Sequence, residues 1–412
     1  MMTISQTNHL LRWLSSLALL LAACRSFDEP ALIYDPNAPS AAAPAISSVD
    51  PAEAAFAGYT EVRLTGNNFA ARMQDNAVYF GTQPGQITSA SANEITVIPP
   101  NMVAENLSIK VVVAGALEIA QFSPYSLKAV VAEYGDFTDL ENVFALAVDL
   151  NENLYAHYRV IGASRSYVAK ITPQGEKDDD YGTTSAFPQA REMRIGPGGE
   201  LYLQRSLGNL FKIGASGGEA QLFATFPATV TFDFDENGNI FAAGNRSGVF
   251  AVSPAGVPTN TGRFSVYDVR SLRVFEGAVQ VAALYMGTDA SIPRAGIWRA
   301  PITSATGTLG NEELVFDWAT SGEFAAAQFF ALTFAQDREI YAGTNNINPI
   351  LRLKPDGSSA ALYSGLLGAD ATHIVWGNGD YLYMNRGNRV ASNRRVYRID
   401  MGKKGAPYYG RR

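Results

Sequence analysis

The chain has 412 residues and a formal net charge of −7 at pH 7, and 47% of its residues are hydrophobic. This length allows two or three domains with their own cores, and the acidic balance excludes a general affinity for nucleic acid or anionic lipid. With 37 glycines, 20 prolines and 11% aromatic residues, the composition favours many short strands joined by turns.

The first 23 residues have the pattern of a secretory signal. Arg12 precedes a short apolar stretch, residues 14–24, that is too brief to span a membrane and ends in small residues. The three residues before Cys24, Leu-Ala-Ala, resemble a bacterial lipobox, which implies cleavage before Cys24 and lipid attachment to its sulfur. The alternative is an ordinary secretory signal with a chance cysteine. Cys24 is the only cysteine, so no internal disulfide can form.

A lipid on Cys24 would determine where the protein resides. Two or more acyl chains would hold it firmly, since each buried methylene contributes about 0.8 kcal/mol. Arg25 follows the cysteine, which in such lipoproteins favours the outer membrane, with the folded part facing the periplasm or the cell surface. Residues 24–43 contain several prolines and alanines without an apolar period, which predicts a flexible tether.

Residues 44–127 are predicted to form a small β-sandwich. Val62 and Leu64 alternate with Arg63 and Thr65, as in a half-buried strand. Five segments resemble, in order, those of the IPT/TIG family of immunoglobulin-like domains: PAISSVDPAEAAFAG (44–58), VRLTGNNF (62–69), NAVYFG (76–81), EITVIPP (94–100) and LSIKVVVAG (107–115). Members of this family serve as spacers or binding modules, so the resemblance implies a domain without catalysis.

Residues 128–405 contain a recurring unit of an apolar strand, a polar turn, a strand with an aromatic residue and a third strand. Equivalent aromatic residues lie 47 positions apart from Tyr155 to Tyr202, 39 from Tyr202 to Phe241 and 42 from Tyr341 to Tyr383. Such periods indicate a β-propeller. The copies begin at FALAVDLNENLYA (144–156), MRIGPGGELYL (193–203), TFDFDENGNIFAAG (231–244), LRVFEGAVQVAAL (272–284), ALTFAQDREIYAG (331–343) and HIVWGNGDYLYM (373–384).

These six units resemble NHL-type propeller blades, and the resemblance implies an all-β chain in which an immunoglobulin-like sandwich precedes a six-bladed β-propeller. Residues 130–135, VVAEYG, are expected to supply the outer strand of the last blade and close the ring. The basic tail, residues 406–412, is expected to be frayed.

The third unit also resembles the start of a calcium loop, because Asp233, Asp235 and Asn237 alternate before Gly238. A calcium loop needs a bidentate acid at its twelfth position, where this chain has Gly244. The other units have different turn residues there, so we predict a tight turn between two strands.

No metal site or cofactor is expected in the chain. His9 lies in the signal, which leaves His157, His373 and the lipidated cysteine as ligands of the zinc or copper type. The acidic stretch Asp178–Asp180 is expected to be a solvated loop, with calcium binding as the open alternative.

Propeller ligands usually bind over the central channel, on the side where the innermost strands begin. Polar residues recur at that position in several units and suggest a polar pocket; they could equally solvate a closed channel mouth. The candidate ligand-binding residues are Glu141, Arg191, Glu192, Arg270, Gln328 and His373.

The sequence therefore predicts a lipid-anchored, non-catalytic binding protein of the cell envelope, with an extracellular glycan as the expected ligand. The expected partners are the membrane, through the lipid on Cys24, and a polysaccharide or an envelope protein. The arrangement is similar to that of surface lipoproteins encoded with polysaccharide-uptake systems in Bacteroidota. Two alternatives are a structural or protein-interaction scaffold of the outer membrane, and a propeller enzyme such as a calcium-dependent lactonase or a lyase.

Overall fold

The computed structural model of the protein describes residues 40–205, 208–387 and 394–411. The predicted signal, Cys24 and most of the predicted tether lie outside the described residues. Within the described part of the chain, no helix is both long and apolar enough to cross a membrane.

The N-terminal domain is a sandwich of two sheets. One sheet has the strand order β1-β3-β7-β6 and the other β2-β9-β8-β4-β5. Val62 and Leu64 are buried between the sheets while Arg63 is exposed, as the alternation predicts. Tyr59 packs edge-on against Tyr363 of the following domain, with ring centroids 4.5 Å apart. The strands are β1 (Ala45–Asp50), β2 (Ala54–Phe56), β3 (Val62–Asn67), β4 (Asn76–Phe80), β5 (Gln83–Pro84), β6 (Gln86–Ala90), β7 (Glu94–Ile98), β8 (Ala104–Val113) and β9 (Ala120–Lys128).

The remaining described residues form six sheets. The first three are sheet I, β11 (Glu141–Val148), β12 (Leu154–Val160), β13 (Ser166–Ile171), β14 (Lys177–Thr184) and β18 (Gly218–Glu219); sheet II, β15 (Ala190–Ile195), β16 (Leu201–Arg205), β17 (Asn209–Ile213) and β19 (Gln221–Thr225); and sheet III, β20 (Thr231–Phe234), β21 (Ile240–Ala243), β22 (Val249–Val252) and β23 (Pro258–Asn260).

The other three are sheet IV, β24 (Tyr267–Phe275), β25 (Ala278–Tyr285), β26 (Ala295–Pro301) and β27 (Glu313–Asp317); sheet V, β28 (Phe329–Phe334), β29 (Ile340–Thr344), β30 (Ile350–Leu353) and β31 (Ser359–Ala361); and sheet VI, β32 (His373–Trp376), β33 (Tyr381–Asn385), β34 (Val396–Asp400) and β10 (Val131–Glu133). Short 3-10 helices lie at Met73–Asp75, Pro197–Gly199, Trp318–Thr320, Gly322–Phe324 and Tyr409–Arg411.

The six sheets form a closed ring. The first strand of each sheet contacts the first strand of the next, and β32 contacts β11. Strand β10, from before the first sheet, pairs with β34 near the end of the chain, as the sequence predicts for residues 130–135. Apolar side chains fill the space between neighbouring sheets; Met193 of sheet II, for example, packs in one cluster with Ala145 of sheet I. The predicted all-β chain, a sandwich followed by a propeller, is confirmed.

The resemblance to a calcium loop is explained by turn geometry. The Oδ1 atom of Asp235 accepts hydrogen bonds from the backbone N–H groups of Asn237 (2.9 Å) and Asn239 (2.8 Å), and Gly238 has a φ of 80°. Asp149 accepts the same two bonds at the equivalent position of sheet I. These are side-chain-stabilised turns between adjacent strands, as predicted.

Two expectations are wrong. Asp178–Asp180 do not form a loop but lie within β14, because the chain turns back earlier, at Gly175 with its φ of 93°. The tail is not frayed over residues 406–411: Arg411 is buried, and Ala406 donates a backbone hydrogen bond to the carbonyl of Phe334. The tail folds because its arginine reaches backbone carbonyls at one end of the channel, described below.

Candidate functional site

A cavity of about 500 Å³ lies at the end of the channel where the inner strands begin. We call it the mouth cavity. Each of the six sheets, or the residue directly before it, contributes to its lining. In ring order from sheet I to sheet VI these contributions include Phe144, Arg191, Val230, Arg270, Phe330 and Thr372.

Four of these residues occupy β-bulges at the same place in their strands. Phe144 is the extra residue where Val143 pairs with Tyr158 and Ala145 with His157. Arg191, Arg270 and Phe330 are the corresponding extra residues of β15, β24 and β28. A bulge leaves one residue out of the ladder and redirects its side chain. The four bulges therefore supply the mouth cavity with two arginines and two phenylalanines.

The two residue types lie on different sides of the ring. Arg191 of sheet II and Arg270 of sheet IV flank sheet III, whereas Phe144 of sheet I and Phe330 of sheet V flank sheet VI. The mouth cavity thus has a cationic half and an aromatic half. Further polar lining comes from Gln189, Asn245, Asp268 and Asn385.

The charges at the mouth cavity do not cancel. Arg191 is exposed and has no hydrogen bond or ion pair with any described residue. Arg270 pairs through Nη2 with Oδ2 of Asp268 at 2.5 Å. Among the described residues, two arginines and one aspartate are the charged lining residues. They give the described lining a net charge of +1, in a chain whose own net charge is −7.

Below the mouth cavity, Glu192 and His373 form a buried pair. Oε1 of Glu192 lies 2.5 Å from Nε2 of His373 and 2.9 Å from Nη1 of Arg194, and Oε2 accepts a hydrogen bond from Thr231. Burial alone would raise the pKa of Glu192, but the charge of Arg194 and the hydrogen bond with His373 prevail and lower this pKa to about 2. The pair joins sheets II, III and VI.

A second charged layer lies deeper in the channel. Asp233 accepts hydrogen bonds from Nε of Arg273 (2.7 Å) and from the backbone N–H of Val274 (2.9 Å), and its other oxygen is 4.0 Å from Nε of Arg194. Arg273 also donates to Thr333 at 2.9 Å. Asp233 is fully buried, so it is a channel residue, whereas the sequence places it beside a turn.

The C-terminal tail closes the far end of the channel. The Tyr408 ring lies against the guanidinium groups of Arg273 and Arg411, whose Cζ atoms are 5.3 and 5.2 Å from its centroid. Arg411 donates to the carbonyls of Val148 (2.7 Å), Gly377 (2.8 Å) and Trp376. Arg411 thus gives each of these carbonyls a charged hydrogen-bond donor. Burial raises the pKa of Tyr408.

The structure separates the six predicted ligand-binding residues into three groups. Arg191 and Arg270 line the mouth cavity, and Glu192 and His373 meet beneath it. The other two are not lining residues: Glu141 pairs with Lys177 at 2.5 Å, and Gln328 precedes the two phenylalanines of sheet V that line the mouth cavity in its place.

Sequence reasoning missed the aromatic half and the deeper charges. A signal for both was present. Phe144 and Phe330 each directly precede a buried alanine of an inner strand, and Arg194, Asp233 and Arg273 each lie two positions after another polar residue of the same strand. An alternation of this kind places both polar residues on one face.

Metal-ligating side chains are dispersed in the structure. Over residues 40–205, 208–387 and 394–411, no three histidine, cysteine or acidic side chains converge so that they could hold a metal ion. In the acidic strand β14, Asp179 accepts a hydrogen bond from Tyr158 (2.8 Å) and lies 3.1 Å from Nζ of Lys177.

Comparison with known proteins identifies the first domain. Residues 44–129 match the family described as the IPT/TIG domain, which confirms the resemblance found in the sequence. A comparison with curated protein sequences gave no match.

Three solved structures illustrate what the whole chain is similar to. An auxiliary nutrient binding protein from Bacteroides thetaiotaomicron is 15% identical, with a TM-score of 0.51 over 89% of this chain and 98% of that one. A candidate phosphatase from the same organism is 12% identical, with a TM-score of 0.54 over 87% and 97%. Virginiamycin B lyase from Staphylococcus aureus is 13% identical, with a TM-score of 0.45 over 66% and 98%. At these identities the first two matches establish a shared fold.

Proposed function

We propose that this chain is a non-catalytic binding protein of the cell envelope, which holds an extracellular glycan in the mouth cavity. In this proposal a lipid on Cys24 anchors the protein in the outer membrane. The tether and the IPT/TIG domain then act as spacers that lift the ring away from the lipid surface. The observation that carries the proposal is the mouth cavity itself, to which all six sheets contribute.

The lining chemistry suits a saccharide. A binding site for a small ligand is concave, measures roughly 300–1,000 Å³ and combines apolar walls with a few polar groups; the mouth cavity has this size and this mixture. Phe144 and Phe330 offer flat apolar rings that can pack against the C–H face of a sugar. Arg191 and Arg270 are donors that can orient its oxygen atoms. The fold shared with an auxiliary nutrient binding protein is an architectural precedent.

Affinity electrophoresis tests the proposal. The full chain is run through native gels that contain one polysaccharide each, and we expect one structural class to retard it. Phe144→Ala should abolish most of that retardation, whereas Tyr79→Ala, on strand β4 of the sandwich, should not. If no polysaccharide retards the protein while a pull-down recovers one envelope protein, the chain is a scaffold and the proposal is wrong.

A hydrolase or lyase is the second candidate, and one observation favours it. The hydrogen-bonded pair of Glu192 and His373 lies directly beneath the mouth cavity, since Arg191 and Thr372, the residues before them, line it. A carboxylate that orients a histidine is the usual arrangement of a general base. If the retained polysaccharide is cleaved, and His373→Gln stops cleavage without preventing retardation, the enzyme replaces the binding protein.

A further inference from the structure

We propose that the ligand of the mouth cavity is an anionic saccharide, whose acidic group binds Arg191 and Arg270 while its sugar ring packs on the aromatic half. This inference rests on the proposed function and adds the class of ligand. The supporting observations are the placement of the four bulged residues at the mouth cavity and the positive charge of two of them, Arg191 and Arg270.

The guanidinium groups of Arg191 and Arg270 have hydrogen-bond donors available for a ligand. Arg191 is exposed at the mouth cavity, and none of the described residues offers it an acid. Asp268 holds Arg270 through Nη2 alone, so Nε and Nη1 of Arg270 have no partner within the described part of the chain. Both side chains can therefore donate to a ligand without breaking an existing ion pair.

The charged side chains that line the mouth cavity favour an anionic ligand. Asp268 neutralises one of the two arginines, so the described lining residues carry one uncompensated positive charge. A concave site with low-dielectric walls concentrates the field of such a charge. A neutral sugar would leave this charge uncompensated, whereas a carboxylate or sulfate ester compensates it and accepts two parallel hydrogen bonds from a planar guanidinium group.

The cationic and aromatic halves of the mouth cavity suit different parts of one ligand. Phe144 and Phe330 have no polar atoms in their side chains, so the aromatic half provides contact area without hydrogen bonds. The hydrogen bonds that orient the ligand must then come from the cationic half, where Arg191 and Arg270 lie on either side of sheet III. A sugar ring with a single acidic substituent satisfies both halves at once, because its C–H face and its acid are separate parts of one residue.

Calorimetric titration of the full chain tests this class with a matched pair of probes. The first probe is a short oligomer of galacturonic acid, and the second is the same oligomer with its carboxyl groups methyl-esterified. We expect the acid to bind at least tenfold more tightly than the ester and its affinity to fall as salt is added. A sulfated oligosaccharide is titrated in parallel, and if it binds more tightly than the galacturonate the anionic group is a sulfate ester.

Variants locate the effect at the two arginines. The double variant Arg191→Gln/Arg270→Gln should bind the preferred anionic probe at least tenfold more weakly. Arg299→Gln is the matched control, because Arg299 is exposed on β26 of sheet IV and pairs with Glu313 at 2.8 Å. Its affinity for the same probe should be unchanged.

The failure of this inference is distinct from the failure of the proposed function. If only neutral polysaccharides retard the protein in gels, or if acid and ester bind equally and the double variant binds both like the wild type, the anionic class is wrong while the binding function stands. If no saccharide of either kind is retained, the binding function itself is wrong.

Discussion

Strands β15 and β24 each carry two arginines three residues apart, and the two members of each pair have opposite surroundings. Arg191 and Arg270 are exposed at the mouth cavity, at bulges. Arg194 and Arg273 are buried deeper in the channel against Glu192 and Asp233. The deeper end pairs its charges internally and is filled by the tail. At the mouth, Asp268 holds Arg270 through Nη2 alone, and Arg191 has no ion pair with any described residue. Burial and partners, more than residue type, therefore decide which arginines are structural.

The largest loss of stability is expected at Asp233, whose charge is buried in the deeper part of the channel. Asp233→Ala would leave Arg273 buried without its acid, and removal of one partner from a buried pair costs about 3–5 kcal/mol. We expect the midpoint of thermal unfolding of the ring to fall sharply. Asp178→Ala, on the exposed part of β14, is the control, and an equal shift in both variants would contradict the structural role of Asp233.

A smaller loss is expected at the tail. Arg411→Ala removes three hydrogen bonds to carbonyls at the closed end, and since hydrogen bonds of charged groups contribute about 1.5–3 kcal/mol each, with part of this recovered by relaxation, we expect a loss of about 2–3 kcal/mol. Urea unfolding measures it, with the exposed Lys404→Ala as the control. If the wild type and Arg411→Ala unfold at the same urea concentration, the tail does not stabilise the closed end.

The cost of burying a charge also predicts that the stability of the fold depends on pH through His157. This side chain is fully buried beside Thr184, and burial lowers its pKa from 6.5 to about 3. Between these values the unfolded chain binds a proton that the folded chain does not, so stability falls as the pH decreases.

From pH 7.5 to pH 5 the expected loss from His157 is about 2 kcal/mol. Glu192 adds nothing in this range, because its pKa is lowered to about 2 and its contribution is lost only as the pH falls from about 4.5 toward 2. Unfolding measured at several pH values should show a shallower dependence for His157→Gln than for the wild type. Parallel curves for the two proteins would disprove the assignment.

The smallest effect is expected at the mouth. Arg191→Gln should change the free energy of unfolding by less than about 0.5 kcal/mol, because the side chain is exposed and has no partner among the described residues. Arg194→Gln, on the same strand, should cost several times more. If the two variants lose the same stability, the distinction between open and closed ends is wrong.

These contrasts also explain which features the sequence could predict. The recurring strands and their turn residues were sufficient for the ring, because Asp149 and Asp235 make local hydrogen bonds that recur with the period. Arg191 and Arg270 were predicted since polar residues recur before apolar inner strands. The direction in which these two arginine side chains point depends on β-bulges. A bulge is set by the register between two strands and cannot be read from one strand alone.

The features that sequence reasoning missed depend on distant parts of the chain. Asp233 looks like a turn residue because it lies two positions before Asp235, and its arginine partner is 40 residues away. The tail looks frayed because it is basic and contains glycine, yet Arg411 bonds Val148 across 263 residues. Packing of sheet III against sheet IV brings Asp233 to Arg273, and the return of the tail to the channel brings Arg411 to Val148.

A crystal structure of the protein with the oligosaccharide that it retains tests most directly whether the mouth cavity is the binding site. We expect density in the mouth cavity, with the sugar packed on Phe144 or Phe330 and its acidic group within hydrogen-bond distance of Arg191 or Arg270. Density on the sandwich or at the tail-filled end, with the mouth cavity empty, would contradict this expectation.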